Sequence, residues 1–328
     1  MKTHTVKGKE KLEEIMKKGK EDGLIHISFS EFKLFTECGH RHLLEKHLKL
    51  IEQPPSIHLY FGSAIHEAIE HGIEEGFGPE RRAKYFRDMF TKEMRNNIPN
   101  YNDTAKESEK LEYFIEQGEN ILKVLDVEGL IETHEIISVE EPLYEHIYDR
   151  FYFKGFVDLV VRDRSTGRII IIDWKTSGEM WNMFWKNKDW AFMMQMKLYK
   201  YFWCRKNNVD LETVDCKYII LNRLKNKKKP KGGFGTVEEV EISSSLSEIK
   251  NSIHALSRTL KSIYKDQRFR KVKFTLDDEG KVKTDSRGLS VVDDKKCGFC
   301  PLKGGMHSLC NSNFYQDKSI LKENHRLM

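Results

Sequence analysis

Proline is scarce in this sequence, seven in 328 residues, and no run of about 20 apolar residues offers a membrane-crossing helix. No period repeats along the chain, which argues against a solenoid or propeller of tandem units. The phosphate-cradling pattern G-x-x-x-x-G-K-[ST] is missing, so the chain carries no recognisable ATP motor. The opening stretch MKTHTVKGKEKLEEIMKKGKEDG has no apolar core of the kind a secretory signal needs, and the expected compartment is the cytoplasm. There, six cysteines would stay as thiols or bind metal rather than form disulfides. Net charge is only +5 although 33% of residues are charged, a balance compatible with a nucleic-acid partner but too weak to argue for one. What is present, 39% hydrophobic residues, is enough for a real core, and the expectation is one α/β domain with helical additions.

The most informative stretch runs from Phe153 to Lys175. Phe156, Val157, Leu159, Val160 and Val161 form one arm of an expected β-hairpin, and the β-branched run Ile169 to Ile172 forms the other. Between them, Asp163-Arg164-Ser165-Thr166-Gly167 reads as a polar turn ending in glycine. Asp158 sits inside the first arm. Asp173 and Lys175 close the second and, two residues apart, share a strand face. Two carboxylates and an ammonium beside an apolar sheet are costly unless they pair or bind a metal. Taken alone, a D-x-K is short enough to be a salt bridge at a strand end.

Further patterns surround it. Gly155-Phe156-Val157-Asp158 precedes the turn, and Ile171-Ile172-Asp173-Trp174-Lys175-Thr176 follows it. Upstream, Phe61-Gly62-Ser63-Ala64-Ile65-His66 sets a histidine four residues after a glycine. Downstream, Gln195-Met196-Lys197-Leu198-Tyr199 sets a glutamine and a tyrosine on one helix face. In this order, the set resembles the core of the PD-(D/E)XK nuclease superfamily, and the G-x-x-x-H and Q-x-x-x-Y elements resemble its RecB-type branch. The resemblance implies a restriction-endonuclease-like α/β fold, a central mixed β-sheet flanked by helices. It implies metal-dependent phosphodiester hydrolysis, with Asp158, Asp173, His66 and the Trp174 carbonyl around Mg²⁺ or Mn²⁺. Lys175 would orient the attacking hydroxide or the phosphate, and Gln195 and Tyr199 would position the substrate or Lys175. The implied substrate is DNA, attacked from an end, with a separate helicase or recombination protein as a possible partner and no membrane. Two alternatives stay open: a non-catalytic DNA-binding or scaffolding subunit, and a nuclease acting on RNA. Read from the residues alone, His66 lies beside the apolar face of Ile65, Ala68, Ile69 and Ile73, where a histidine is more often a hydrogen-bonded core residue.

Along the rest of the chain, residues 1–25 read as a charged helix or arm stopped by Gly23. Residues 26–268 would form the nuclease core, with a helical insertion at about 79–130 broken by a loop at Asn96–Asp103. Ser30 reads as the N-cap of a helix carrying Phe32 and Phe35. His71 reads as a surface residue. Ile136 to Leu143 reads as a strand bearing Glu140 and Glu141; the branch often has an acidic residue here, and Glu141 carries little weight. Trp181, Trp185 and Trp190 stand close to Lys186 and Lys188, a composition that either stacks single-stranded bases or packs over the core. Val214 to Leu224 reads as a strand. The run Lys225, Lys227, Lys228 and Lys229 after it either contacts phosphates or is simply solvated. Ser245 to Tyr264 reads as an amphipathic helix with a serine cap.

Residues 269–328 hold Cys297, Cys300 and Cys310, with Cys38 far upstream. C-x-x-C by itself suits redox, zinc or cluster chemistry. One cysteine before the core and three after it resemble the iron–sulfur members of the branch, which implies a [4Fe–4S] cluster joining the two segments. The nine residues between Cys300 and Cys310 exceed that branch's usual gap, and Zn²⁺ suits the same thiolates. Cys204 and Cys216 fall in helix and strand patterns and read as core thiols.

Overall fold

The computed structural model describes residues 4–50, 55–98, 104–177, 190–223 and 236–267. Trp181, Trp185, Lys225, Lys227, Lys228, Lys229, Cys297, Cys300 and Cys310 lie outside them. The chain forms two compact units, one of Met1–Lys18, Pro55–Glu145 and Lys154–Ser252, the other of Gly19–Pro54, His146–Phe153 and Ile253–Met328. No helix among the described residues is long and apolar enough to cross a membrane.

Helix α1 (His4–Glu21) starts the described chain, and Gly23, at φ +74°, takes the left-handed conformation that commonly ends a helix. In the second unit, β1 (Ile25–Ser28) runs straight into α2 (Phe29–Glu37), followed by the short α3 (Gly39–His42). The cap of α2 is Ser28, not Ser30. Ser28 ends the strand with extended backbone, φ −93° and ψ 164°, and its hydroxyl accepts from the Glu31 N–H at 3.2 Å. Ser30 is already helical and cannot serve.

In the first unit, α4 (Ile57–Glu75), α5 (Pro79–Asn97), α6 (Ala105–Val124) and α7 (Val127–Thr133) come before the main strands. After them come β2 (His134–Tyr148), β3 (Phe151–Asp163) and β4 (Ile169–Ser177). Then follow α8 (Trp190–Asn207), β5 (Val214–Asn222), β6 (Thr236–Glu241) and α9 (Leu246–Leu260). Strand β2 pairs with β3, and the order continues β3-β4-β5-β6. The β3/β4 and β5/β6 ladders are antiparallel and β4/β5 is parallel, a mixed sheet. Parallel neighbours need a crossover, and α8 lies on it.

The pleat divides the sheet's residues by face. Leu159, Val161, Ile172, Trp174, Ile219 and Leu221 join Phe61, Ile65, Phe86, Phe90 and Phe114 in one buried cluster with α4, α5 and α6. The alternating residues, Asp158, Asp173 and Tyr218 among them, point the other way. There α8 packs: the Tyr218 hydroxyl donates to the Phe192 carbonyl at 2.9 Å, and the two rings meet edge-on at 5.5 Å.

Two glycines let the helices close. A Cβ on Gly72 would stand 2.3 Å from Cδ of Arg82, a fully buried cation whose guanidinium donates to the Phe77 and Leu125 carbonyls and to Glu128. A Cβ on Gly118 would stand 2.1 Å from the Phe86 ring. Phe86 stacks on Phe90 and meets Phe61 edge-on, so it has no room to turn away. Alanine gains about 1 kcal/mol over glycine in helix propensity, but overpacking costs about 1–3 kcal/mol. Gly118→Ala should therefore destabilise the protein, lowering the urea midpoint at unchanged m-value; a raised midpoint would contradict this packing.

Candidate active site

The site begins with the turn between β3 and β4. The Asp163 carboxylate accepts from the Ser165 N–H at 2.7 Å, the Ser165 hydroxyl at 2.6 Å and the Thr166 N–H at 2.9 Å. The Ser165 hydroxyl and these amides hold Asp163 down to about 2. Gly167 closes the turn at φ +72°, and its N–H donates to the Asp163 carbonyl. That turn sets the register Leu159↔Ile172 and Val160↔Ile171. One step further along the ladder, Asp158 and Asp173 come onto the same face. The Trp174 N–H donates to Asp158 Oδ2 at 2.8 Å, so the second strand's backbone orients the first strand's carboxylate.

Four more expected residues come to this point. Lys175 ion-pairs with Asp173 Oδ2, as their shared strand face requires. Gln195 of α8 donates through Nε2 to Asp173 Oδ1 at 3.1 Å. Tyr199, one turn on, is buried, and burial followed by the nearby Asp173 and Asp158 charges pushes its hydroxyl far above the ordinary tyrosine value. His66 Nδ1 stands 3.5 Å from Asp158 Oδ2. Gly62, one turn before His66, explains that reach: a Cβ there would lie 3.3 Å from Thr176 Oγ1, so α4 sits close against the end of β4. Trp174 itself contributes its N–H here while its indole lies in the core.

Asp173 is only 2% exposed. Burial pushes its carboxyl up to about 6; Lys175 opposes the rise and Asp158 adds to it. Among the described residues, no group of three His, Cys, Asp or Glu side chains is gathered closely enough to hold an ion unaided. Mg²⁺ usually keeps several waters, so it does not require such a cage. Two like-charged carboxylates, one of them buried with a raised pKa, plus an imidazole beside the other, are a donor set that fits Mg²⁺ or Mn²⁺.

Other expectations fare differently. Glu141 is a tie between β2 and α8: its carboxylate accepts from Ser138 Oγ at 2.6 Å, Trp203 Nε1 at 2.7 Å and Lys206 Nζ at 2.6 Å. Burial pushes its carboxyl up, but those bonds outweigh it and leave the group below its ordinary value. Glu140 is the buried member of the pair and its charge reaches Tyr199. Its φ of +47° departs from regular strand geometry. His71 is not a bare surface residue; its ring lies against Tyr85 at 4.7 Å and Phe77 at 6.3 Å. Cys204 and Cys216 are buried, and burial pushes their thiols up to about 11 and about 12, as inert core thiols. Cys38 Sγ accepts from the Arg41 N–H at 3.4 Å in the second unit.

Residues 26–304 match the sequence model of the PD-(D/E)XK nuclease superfamily, and the chain belongs to that superfamily. No curated protein matches it. Among solved structures, a protein described as SSO0001 is 13% identical with a TM-score of 0.28, covering 68% of this chain and 83% of its own. An alkaline exonuclease from Laribacter hongkongensis, LHK-Exo, is 13% identical with a TM-score of 0.27, covering 64% of this chain and 96% of its own. The same enzyme in complex with dAMP gives the same figures.

The raised Asp173 carboxyl makes a pH prediction for the metal-free protein. Between about pH 4 and 6 the folded state holds a proton that the unfolded state has lost, so this group's contribution to stability falls as pH rises through that window. Asp173→Asn removes the effect. The unfolding free energy of the variant relative to wild type, measured in EDTA, should shift in the variant's favour from pH 4 to pH 7; a constant difference would contradict the assignment.

Proposed function

We propose that this chain is a metal-dependent DNA nuclease of the RecB type. On this reading it is an exonuclease acting on single-stranded or end-processed DNA in cytoplasmic replication, recombination or repair, alone or beside a separate helicase or recombination protein. One observation carries the reading: Asp158, Asp173, Lys175 and Gln195 converge on one buried sheet face, with His66 on Asp158, in a chain of the nuclease superfamily.

Mg²⁺ or Mn²⁺, held by Asp158, Asp173 and His66, would supply charge neutralisation at the phosphate and a more acidic water. The chain's own groups do the rest. The Trp174 N–H and the Gln195 amide hold the two carboxylates in fixed orientations, so little reorganisation is needed when charge develops. Lys175 keeps about a quarter of its surface exposed while its ammonium touches a buried carboxylate, so it faces both the site and an incoming phosphate. It can offset phosphate charge or hold the attacking water. Tyr199, kept protonated, acts as a hydrogen-bond donor and not as a base. The four cysteines Cys38, Cys297, Cys300 and Cys310 are, in this reading, one [4Fe–4S] centre with a structural role, Zn²⁺ being the competing occupant.

End-labelled single- and double-stranded DNA and a matched RNA, each with Mg²⁺ or Mn²⁺, test the activity. Asp158→Ala, Asp173→Ala and Lys175→Ala should each lose at least about 100-fold in turnover with folding retained; near-normal hydrolysis by Asp173→Ala would overturn the site, and cleavage of RNA alone would overturn the substrate. For the cysteines, anaerobically purified protein should be brown, and Cys38→Ser should lose the colour as fully as Cys300→Ser. Colourless protein with stoichiometric zinc would move the centre to Zn²⁺, and colour surviving Cys38→Ser would remove Cys38 from it.

A further inference from the structure

Arg223 follows β5 directly, and its N–H donates to the Ser177 carbonyl at 2.7 Å, two residues beyond Lys175 on β4. Because β4 and β5 are parallel, Arg223 lies at the same strand ends as the catalytic lysine. Its guanidinium lies over two rings of the first unit's core, 4.9 Å from the Phe61 centroid and 4.6 Å from that of Phe114. Phe61 precedes Gly62, which packs on Thr176, so the two rings hold the cation beside the site's own scaffold.

Such a position is expensive. Burial lowers the guanidinium's proton affinity. Among the described residues no carboxylate pairs with it, and its Nε is buried with no hydrogen-bond partner. Among the described residues, its polar side-chain hydrogen bond is Nη2 to His58 Nδ1 at 3.1 Å. For that bond the imidazole must be the acceptor and so neutral there. Its pKa is indeed lowered, by burial, then by Arg223 and by Lys110. The polar groups recorded around the guanidinium are the neutral His58 imidazole and the Tyr113 phenol, and neither supplies a carboxylate's charge. An uncompensated, partly buried cation with its fork of N–H donors fixed by aromatic stacking is arranged to receive an oxyanion. Packing alone would be served as well by an apolar side chain of the same length.

We infer that Arg223, oriented by His58, binds a non-scissile backbone phosphate of the nucleic-acid strand at the ends of β4 and β5. The inference rests on the nuclease reading and adds a strand-holding contact that the catalytic residues do not supply. Phosphate recognised here belongs to a polymer that continues past the catalytic carboxylates, so the contact selects oligonucleotides over mononucleotides.

Binding of a fluorescent single-stranded DNA oligomer in EDTA, read by anisotropy across a salt series, tests it without hydrolysis. Arg223→Met keeps the stem on the rings and removes the charge. His58→Glu, at an exposed position whose ring meets Phe114 edge-on at 5.2 Å, places a carboxylate beside the guanidinium, and its melting temperature is measured alongside. Each should weaken binding about tenfold or more and flatten the slope of log affinity against log salt by roughly 0.7, the value for one lost phosphate contact on a single strand. Arg223→Lys should keep the slope. Unchanged affinity and slope in His58→Glu would overturn the inference, as would a loss confined to Arg223→Met that follows a lowered melting temperature. If wild type cleaves DNA while both variants bind and cleave normally, the nuclease reading stands and this one falls. If wild type cleaves nothing yet binds through Arg223, the reverse holds.

Discussion

A carboxylate buried against an apolar sheet is the constraint on which the rest of this molecule depends. Asp173 loses nearly all its hydration, and its partners are Lys175 two residues on and Gln195 of α8. Removing Lys175 would leave a buried carboxylate with only the neutral Gln195 amide beside it, a cost of several kcal/mol for a buried ion, on the order of breaking a buried pair. The same strand that carries Asp173 on one face buries Trp174 on the other, among the rings of α4, α5 and α6. Strand β4 is thus clamped from both sides, and the clamp keeps the carboxylates in place. An unfavourable site is tolerated because the hydrophobic cluster behind it is large and well packed.

Much of this could be read along the chain because it depends on period and on local turn chemistry. The pleat's period of two placed Asp173 and Lys175 together, and the helix's spacing of four placed Gln195 and Tyr199 together. Asp163, Ser165 and Gly167 announce their turn because each supplies something the turn needs, an acceptor, a donor pair and a positive φ. The misreadings share a cause. Ser28 and Ser30 are equivalent in sequence, and only the abutting strand decides which one has the backbone to cap α2. His71 acquires Tyr85 and Phe77 as neighbours only once α4 and α5 pack. Arg223 falls at the end of the expected strand with no role marked on it, and only packing brings Phe61 and Phe114, both from distant helices, under it. Wherever long-range packing chose between similar residues, the linear pattern was silent.

The helical layer owes its closeness to missing atoms. Gly72 admits the stem of Arg82, Gly118 admits the ring of Phe86, and Gly62 admits Thr176. The first two bring α5 against α4 and α6, and the third brings α4 against β4. The buried Arg82 then joins α5 to α7 through the Leu125 carbonyl and Glu128. A small number of backbone approaches thereby carries the position of His66 from the helices to the sheet.

The hairpin carrying both carboxylates is closed by its own residues. Asp158 and Asp173 are fifteen positions apart, and the turn between them is sealed by hydrogen bonds that Asp163 accepts from Ser165 and Thr166. Short loops lose little entropy on closing, whereas the β4/β5 pairing must first close a loop that contains all of α8. In folding terms the carboxylate pair is therefore a low-contact-order element set inside a slower, high-contact-order sheet. On that ordering the two acidic groups should meet before α8 brings Gln195 to one of them, leaving at that stage an acidic pair that a divalent cation could reach.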